Sequence, residues 1–344
     1  MSRPASPPHE RLASLTPAYF GMVMATGIVA IALHVHGFTT MAEAFSWIAG
    51  IAFAVLVVLH TLRAARHPAA VRADFASHQK APGFFTWAAA SGVMGAQFVI
   101  IAPHRPAAGV FWALTIVLWA VCSYAIIPAL VVKRDKPPLE TGINGAWLLA
   151  VVATQSIAVM SALLASGAEQ PARLQLHFLA LATWLAGETL YTWIIALIFY
   201  RYMFLRLSAE DFTAPYWINM GAMAISTLAG SLLLAGAHDS PLLQLVRPFV
   251  AGATILCWAT ATWWIPVLAV LVVWRYGFSR YPLRYDPVYW SAVFPLGMYS
   301  AATHELSLVL SLPFLQPVSS AFLALAVVAW AATFFGLLRT ELRR

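Results

Sequence analysis

Glu188, in the stretch TWLAGETLYTW, is a carboxylic acid near the middle of a long apolar run, with no Lys or Arg within a helical turn. A carboxyl in such surroundings either shuttles protons or stays neutral and hydrogen-bonds to a neighbouring helix. Because this run is an even-numbered segment of the chain, the structural role is the stronger reading. Hydroxyls and amides recur inside other apolar runs: Thr26, Ser91, Gln97, Thr154, Gln155, Ser156, Asn219, Ser226, Thr227, Ser231, Ser300 and Thr303. Together with backbone groups and helix ends they offer many weak contacts to a passing ion, although for any one of them close helix packing is the plainer role. Gly27, Gly92 and Gly297 supply small surfaces, and Phe294-Pro295 sets a bulky ring beside a helix breaker.

Other chemistries have no matching pattern. His34 and His36 are two apart and point to different sides of a helix, no H-E-x-x-H run occurs, and no Cys pair completes a ligand set, so neither metal nor haem is expected. Cys122 and Cys257 lie inside apolar runs, which argues against a disulfide framework. A phosphate-binding loop and a nucleophilic triad are absent, so neither ATP hydrolysis nor catalysis is expected, and no cofactor is implied. His34, His36, His104, His177, His238 and His304 all map near the same ends of their segments. Protonated, they would draw anions, but scattered interfacial histidines are the simpler reading. Glu43 and Arg247 fall at segment ends, where snorkelling is easy and a pairing is open.

These residues must be positioned by helices in a bilayer. Of 344 residues, 61% are hydrophobic and 10% charged, which one soluble core cannot absorb. The chain reads as an all-α integral membrane protein, with spans at 17–36, 42–63, 84–102, 108–132, 144–166, 175–200, 216–236, 244–274, 287–311 and 316–338. Residues 1–16 and 339–344 are left as short polar tails, and 17–338 as one ten-span domain. MSRPASPPHER is polar, Pro-containing and basic, and reads as a tail rather than a cleaved leader.

All of the 20 Lys and Arg except Arg105, Arg173 and Arg247 fall on one side of this arrangement. That side is expected to be cytoplasmic, with both chain ends on it and the protein in an inner membrane. The net charge of +7 is explained by topology rather than by nucleic acid.

The spans then pair into five hairpins, and a repeat supports the pairing. Odd spans open on Pro and aromatics, with a Gly ten residues after the Pro: Pro17 and Gly27, Pro82 and Gly92, Pro287 and Gly297. Pro215-Tyr216-Trp217 keeps the opening without that Gly, and Asn144 to Trp147 keeps only the aromatic. Odd spans carry most of the intramembrane polarity, while even ones such as 108–132 and 316–338 are rich in Leu, Val, Trp and Phe. The simplest packing is an inner ring of odd helices within an outer ring of even ones.

Three segments carry a resemblance: PAYFGMVMATGIVAIAL at 17–33, YWINMGAMAISTLAG at 216–230 and WSAVFPLGMYSAAT at 290–303. Together with ten spans, they make the chain similar to the tellurite-resistance and dicarboxylate transporter family. That family includes plant slow anion channels, fungal malate permeases and fungal sulfite exporters. The resemblance implies five hairpins in quasi-fivefold arrangement around a central pore lined by the odd helices, one pore per subunit of a homotrimer. It further implies a Phe plug in the ninth span, for which Phe294 looks like the counterpart; from the residues alone Phe294 is a packing residue beside the Pro295 kink.

Phe294 would lie only about 10 Å along the helix from the start of the span. Thr26, Gly27, Ser91, Gly92, Gln155, Ser156, Asn219, Ser226 and Gly297 would line the pore, and Glu188 is the candidate for proton coupling. The implied activity is transport of a small anion across the bilayer, a dicarboxylate such as malate first. A passive channel for chloride or nitrate, or sulfite or tellurite efflux, stays open, and a non-transporting membrane scaffold is a remote alternative.

Overall fold

The computed structural model describes residues 12–283 and 285–342. Arg3, Arg11, Arg284, Arg343 and Arg344, used in the charge argument, and most of the 1–16 tail lie outside the described residues. The described chain is helical, with twelve α-helices, ten of them of 15 residues or more. These ten are α1 (Gly21–Val35), α2 (Thr39–Arg66), α3 (Phe85–Ile100), α4 (Arg105–Val131) and α5 (Leu149–Ala165), followed by α6 (Ala172–Phe204), α7 (Ile218–Ala235), α8 (Pro241–Val273), α9 (Trp290–Val309) and α10 (Gln316–Leu342). Short helices at Pro68–Phe75 and Leu139–Gly142, which the apolar pattern did not predict, fill two of the loops.

Nine of the ten are long and apolar enough to cross a membrane, where ten such spans were expected. The exception is α9, whose 20 residues include Ser291, Tyr299, Ser300, Thr303, His304, Glu305 and Ser307. Most of α9 is buried among other helices, so it is released from the requirement that lipid imposes on an exposed span.

Each odd helix pairs with the even helix after it. The odd helices also pack on one another, α1 on α3, α3 on α5, α5 on α7, α7 on α9 and α9 back on α1, which closes a ring. Burial follows this order. In the odd helices other than α9, between 72% and 94% of the most apolar window is buried, against 22% to 28% in the even ones. Trp47, Val117, Phe178, Leu256 and Val328, one on each even helix, are exposed, as the lipid side of an outer layer requires.

A 3₁₀ turn opens every odd helix: Pro17–Phe20, Ala81–Phe84, Gly145–Leu148, Ala214–Trp217 and Pro287–Tyr289. Proline suits this position because its fixed φ matches the first turn and its missing N–H is not needed there. The preceding residue caps three of the turns: Thr16 accepts from the Ala18 N–H, Asn144 from Ala146 and Asp286 from Val288. The five turns touch one another in the same cyclic order as the helices they open, so the ring is also closed at this end. On the opposite side the first hairpin turns tightly through Gly37, whose φ of +86° suits a residue without a side chain.

Candidate functional site

The glycines set the spacing of the inner ring. A Cβ on Gly27 would sit 2.5 Å from Val93 of α3, one on Gly92 would sit 2.8 Å from Ser156 of α5, and one on Gly297 would sit 3.1 Å from Ile28 of α1. Each of the three repeated glycines therefore faces the next helix round the ring. Gly221 does the same for α7, where a Cβ would meet Pro295 of α9 at 2.7 Å. It lies one helical turn before Ile225, the tenth residue after Pro215, on the same face.

Hydroxyls on the inner helices are held by tryptophans of the outer layer. Nε1 of Trp330 on α10 donates to Thr26 at 2.9 Å, Trp119 on α4 to Thr154 at 2.8 Å, and Trp258 on α8 to Thr303 at 3.0 Å. Trp184 on α6 donates to the Ser226 carbonyl at 3.0 Å. In all four the outer helix of one hairpin grips the inner helix of the next. Thr26 thus turns its hydroxyl outward, and Ser91 and Ser156 return theirs to the carbonyls of Trp87 and Val152 on their own helices. Sequence reasoning overlooked these tryptophans; the signal was their position inside spans, where a buried indole N–H needs an acceptor.

Gln155 and Glu188 come together. The Gln155 Nε2 donates to the Glu188 carboxyl at 3.0 Å and to the Trp184 carbonyl at 3.1 Å. Glu188 also lies beside the Ser226 hydroxyl and the Cys257 thiol, so it sits where α5, α6, α7 and α8 meet. Asn219 donates to the Tyr202 hydroxyl at 3.2 Å, while its backbone carbonyl accepts from Tyr191, itself held by Trp264. Several buried polar atoms of the inner helices have no hydrogen-bond partner: Oε1 of Gln97 and Gln155, Oδ1 of Asn219, and the hydroxyl of Ser231. On the outer helices the hydroxyls of Thr115, Thr183 and Thr262 return to carbonyls of their own helices.

Phe294 is 2% exposed and lies about 6 Å along α9 from Trp290, one turn inside the helix and toward the ring of opening turns. Its neighbour Pro295 fits against Gly221, which fixes the face that α9 turns toward α7. At the other end of α9 the rings of His304 and His36 stand 5.0 Å apart, and the His36 Nε2 is 3.0 Å from the Ser319 hydroxyl. Glu43 and Arg247 form no ion pair among the described residues. Among the described residues no cluster of His, Cys, Asp and Glu is arranged to hold a metal ion.

Residues 14–338 match the model of the SLAC1 family, described as voltage-dependent anion channels. The chain belongs to this family. SLAC1 proteins form a channel and transporter family rather than an enzyme family, and this member is a multi-pass membrane protein. An uncharacterized transporter of Methanocaldococcus jannaschii is 24% identical over 93% of this chain and 91% of its own length. A second uncharacterized transporter of the same organism is 24% identical over 83% of each chain. An uncharacterized membrane protein of Mycobacterium tuberculosis is 37% identical over 149 residues, 43% of this chain and 75% of its own.

Proposed function

We propose that the protein carries small anions through a path enclosed by α1, α3, α5, α7 and α9, with dicarboxylates such as malate as the first substrate class and the Phe294 ring as gate. The observation that carries this reading is the set of unpartnered polar atoms on inner helices. Buried polar groups are normally satisfied, and a set of unsatisfied ones on the helices of the ring is suited to water or a partly hydrated ion. Among the described residues the inner helices carry no Lys or Arg to trap an anion, so contacts are weak and multiple, which favours passage. A benzyl ring in an apolar neck imposes a dehydration barrier until it turns aside.

The family description, which is of anion channels, favours a channel as the second reading, with chloride or nitrate as the ion. One experiment separates the two: uptake of radiolabelled malate into proteoliposomes, with and without a proton gradient, against chloride and nitrate competition. Gradient-driven accumulation identifies a coupled dicarboxylate carrier. Equilibration without a gradient, blocked by inorganic anions, identifies a channel, and absence of any anion flux from folded protein removes both readings.

The basic loops support a cytoplasmic placement of both chain ends in an inner membrane. A homotrimer with one path per subunit completes the proposal; a monomer by mass measurement under mild detergent conditions contradicts that part of it.

A further inference from the structure

Three outer helices end near an arginine that is followed ten or eleven residues later by an aspartate: Arg63 and Asp74, Arg201 and Asp211, Arg275 and Asp286. In the first two the pair is made. The Arg63 guanidinium contacts Asp74 at 2.5 Å and donates to the Ala13 carbonyl at 3.1 and 3.2 Å. Arg201 lies 3.6 Å from Asp211 and donates to the Ile143 carbonyl at 2.8 Å and to the Tyr216 hydroxyl. Lys133, just past the end of α4, makes the same link to the Ala76 carbonyl at 2.9 Å. Each cation ties the end of its outer helix to backbone just ahead of the inner helix of its own hairpin.

Arg275 breaks the pattern. It is 7% exposed, yet among the described residues no carboxylate pairs with its guanidinium, no carbonyl accepts from it, and its Nε is buried without a partner. Asp286 instead accepts from the Val288 N–H at 3.0 Å and caps the opening turn of α9. Where the missing partners would stand there is a cavity of about 190 Å³, lined by Arg275, Thr213, Tyr281, Tyr285, Asp286 and Tyr289. The Tyr281 ring centroid is 4.2 Å from the guanidinium carbon and that of Tyr276 is 5.3 Å away.

We propose that this cavity binds a small oxyanion, a phosphate or carboxylate group, gripped by the Arg275 guanidinium. A buried guanidinium without a counter-ion is strongly disfavoured, and its planar fork of N–H donors matches two oxygens of such a group. Tyrosine faces cover the cation without using those in-plane donors. Asp286 also faces the cavity and opposes an anion, which makes it a second handle on affinity. The occupant would touch the turns that open α7 and α9, at the foot of the Phe294 helix. A lipid headgroup phosphate and a free anion share this chemistry.

The test is calorimetric titration of the full-length protein with inorganic phosphate, in lipid-depleted detergent and in nanodiscs of phosphatidylcholine or phosphatidylglycerol. Saturable binding is expected in detergent, weakened by about tenfold or more in Arg275→Gln as a charge-assisted pair is lost, and tightened in Asp286→Asn. Loss of the signal only in phosphatidylglycerol discs supports the same site with the headgroup as its occupant. No saturable phosphate binding in detergent and in phosphatidylcholine discs, or binding that neither substitution alters, overturns the proposal. Should Arg275→Gln fail to fold, Asp286→Asn decides alone. Binding is read directly, so this result is independent of what the helix ring conducts.

Discussion

Gln155 of α5 donates its amide to the carboxyl of Glu188 on α6 at 3.0 Å, joining an inner helix to an outer one. The contact depends on Gly187, where a Cβ would run into the Gln155 side chain. Because a glutamine at 188 presents the same acceptor oxygen, Glu188→Gln is expected to keep both anion uptake and its pH response in proteoliposomes. Gln155→Leu removes the donor and should lower thermal stability in detergent by about 1 kcal/mol, the usual scale for an interhelical hydrogen bond in a membrane protein. A Glu188→Gln protein that folds normally, binds anion and loses its pH response would instead make Glu188 the proton carrier.

If Phe294 is the gate proposed above, Phe294→Ala is expected to raise anion flux through reconstituted protein, since the substitution removes the blocking ring. It should also destabilise the protein by about 3–5 kcal/mol, because the residue is fully buried and leaves a cavity. The two effects separate the roles. Lower stability with unchanged flux would describe a packing residue beside Pro295 and nothing more.

Helix number, hairpin pairing and the inner and outer layers were legible because lipid selects so strongly for apolar length and places polarity inside. The glycine repeat was legible at Gly27, Gly92 and Gly297, which all meet the following helix. It was lost at α7, where Gly221 does the same work one turn earlier, because a linear offset does not reveal a shared helical face. The destination of individual side chains was not legible. Thr26 and Ser156 look alike in sequence, yet one accepts from Trp330 on an outer helix and the other bonds to its own backbone. Such choices depend on which helix arrives from outside, a long-range fact that local pattern does not carry. At α9 the span expected at 287–311 forms a helix but is less apolar than the others, because most of it is buried among other helices.

Gly92→Ala tests the ring spacing. Its Cβ would sit 2.8 Å from the Cβ of Ser156 and 3.4 Å from its hydroxyl, and neither helix has a flexible side chain there to move aside. Overpacking of this kind should lower stability by about 1–3 kcal/mol. Removing the obstacle with Ser156→Gly in the same chain should recover part of the loss, a coupling of about 0.5–3 kcal/mol for residues in contact. Additive losses in thermal melts of the single and double variants would mean that α3 and α5 do not meet at this point.

Asp211 predicts a pH dependence outside the bilayer. The Ser208 hydroxyl, donating at 2.6 Å, holds the Asp211 carboxyl below the usual carboxylate range; partial burial opposes this, and the Ser208 N–H at 2.9 Å and Arg201 at 3.6 Å add to it. The folded protein therefore holds its proton less tightly than the unfolded chain. Stability from this group is present above the unfolded value, about 3.9 for Asp, and is lost as the pH falls through the lower folded value. Asp211→Asn should melt below the wild type at pH 7, and the gap should close as the pH drops beneath 4. Arg201 keeps its bonds to Ile143 and Tyr216 in the variant, so the loop stays anchored and the comparison isolates the carboxyl. A gap of constant size from pH 7 to pH 3 would show that the interaction does not depend on charge.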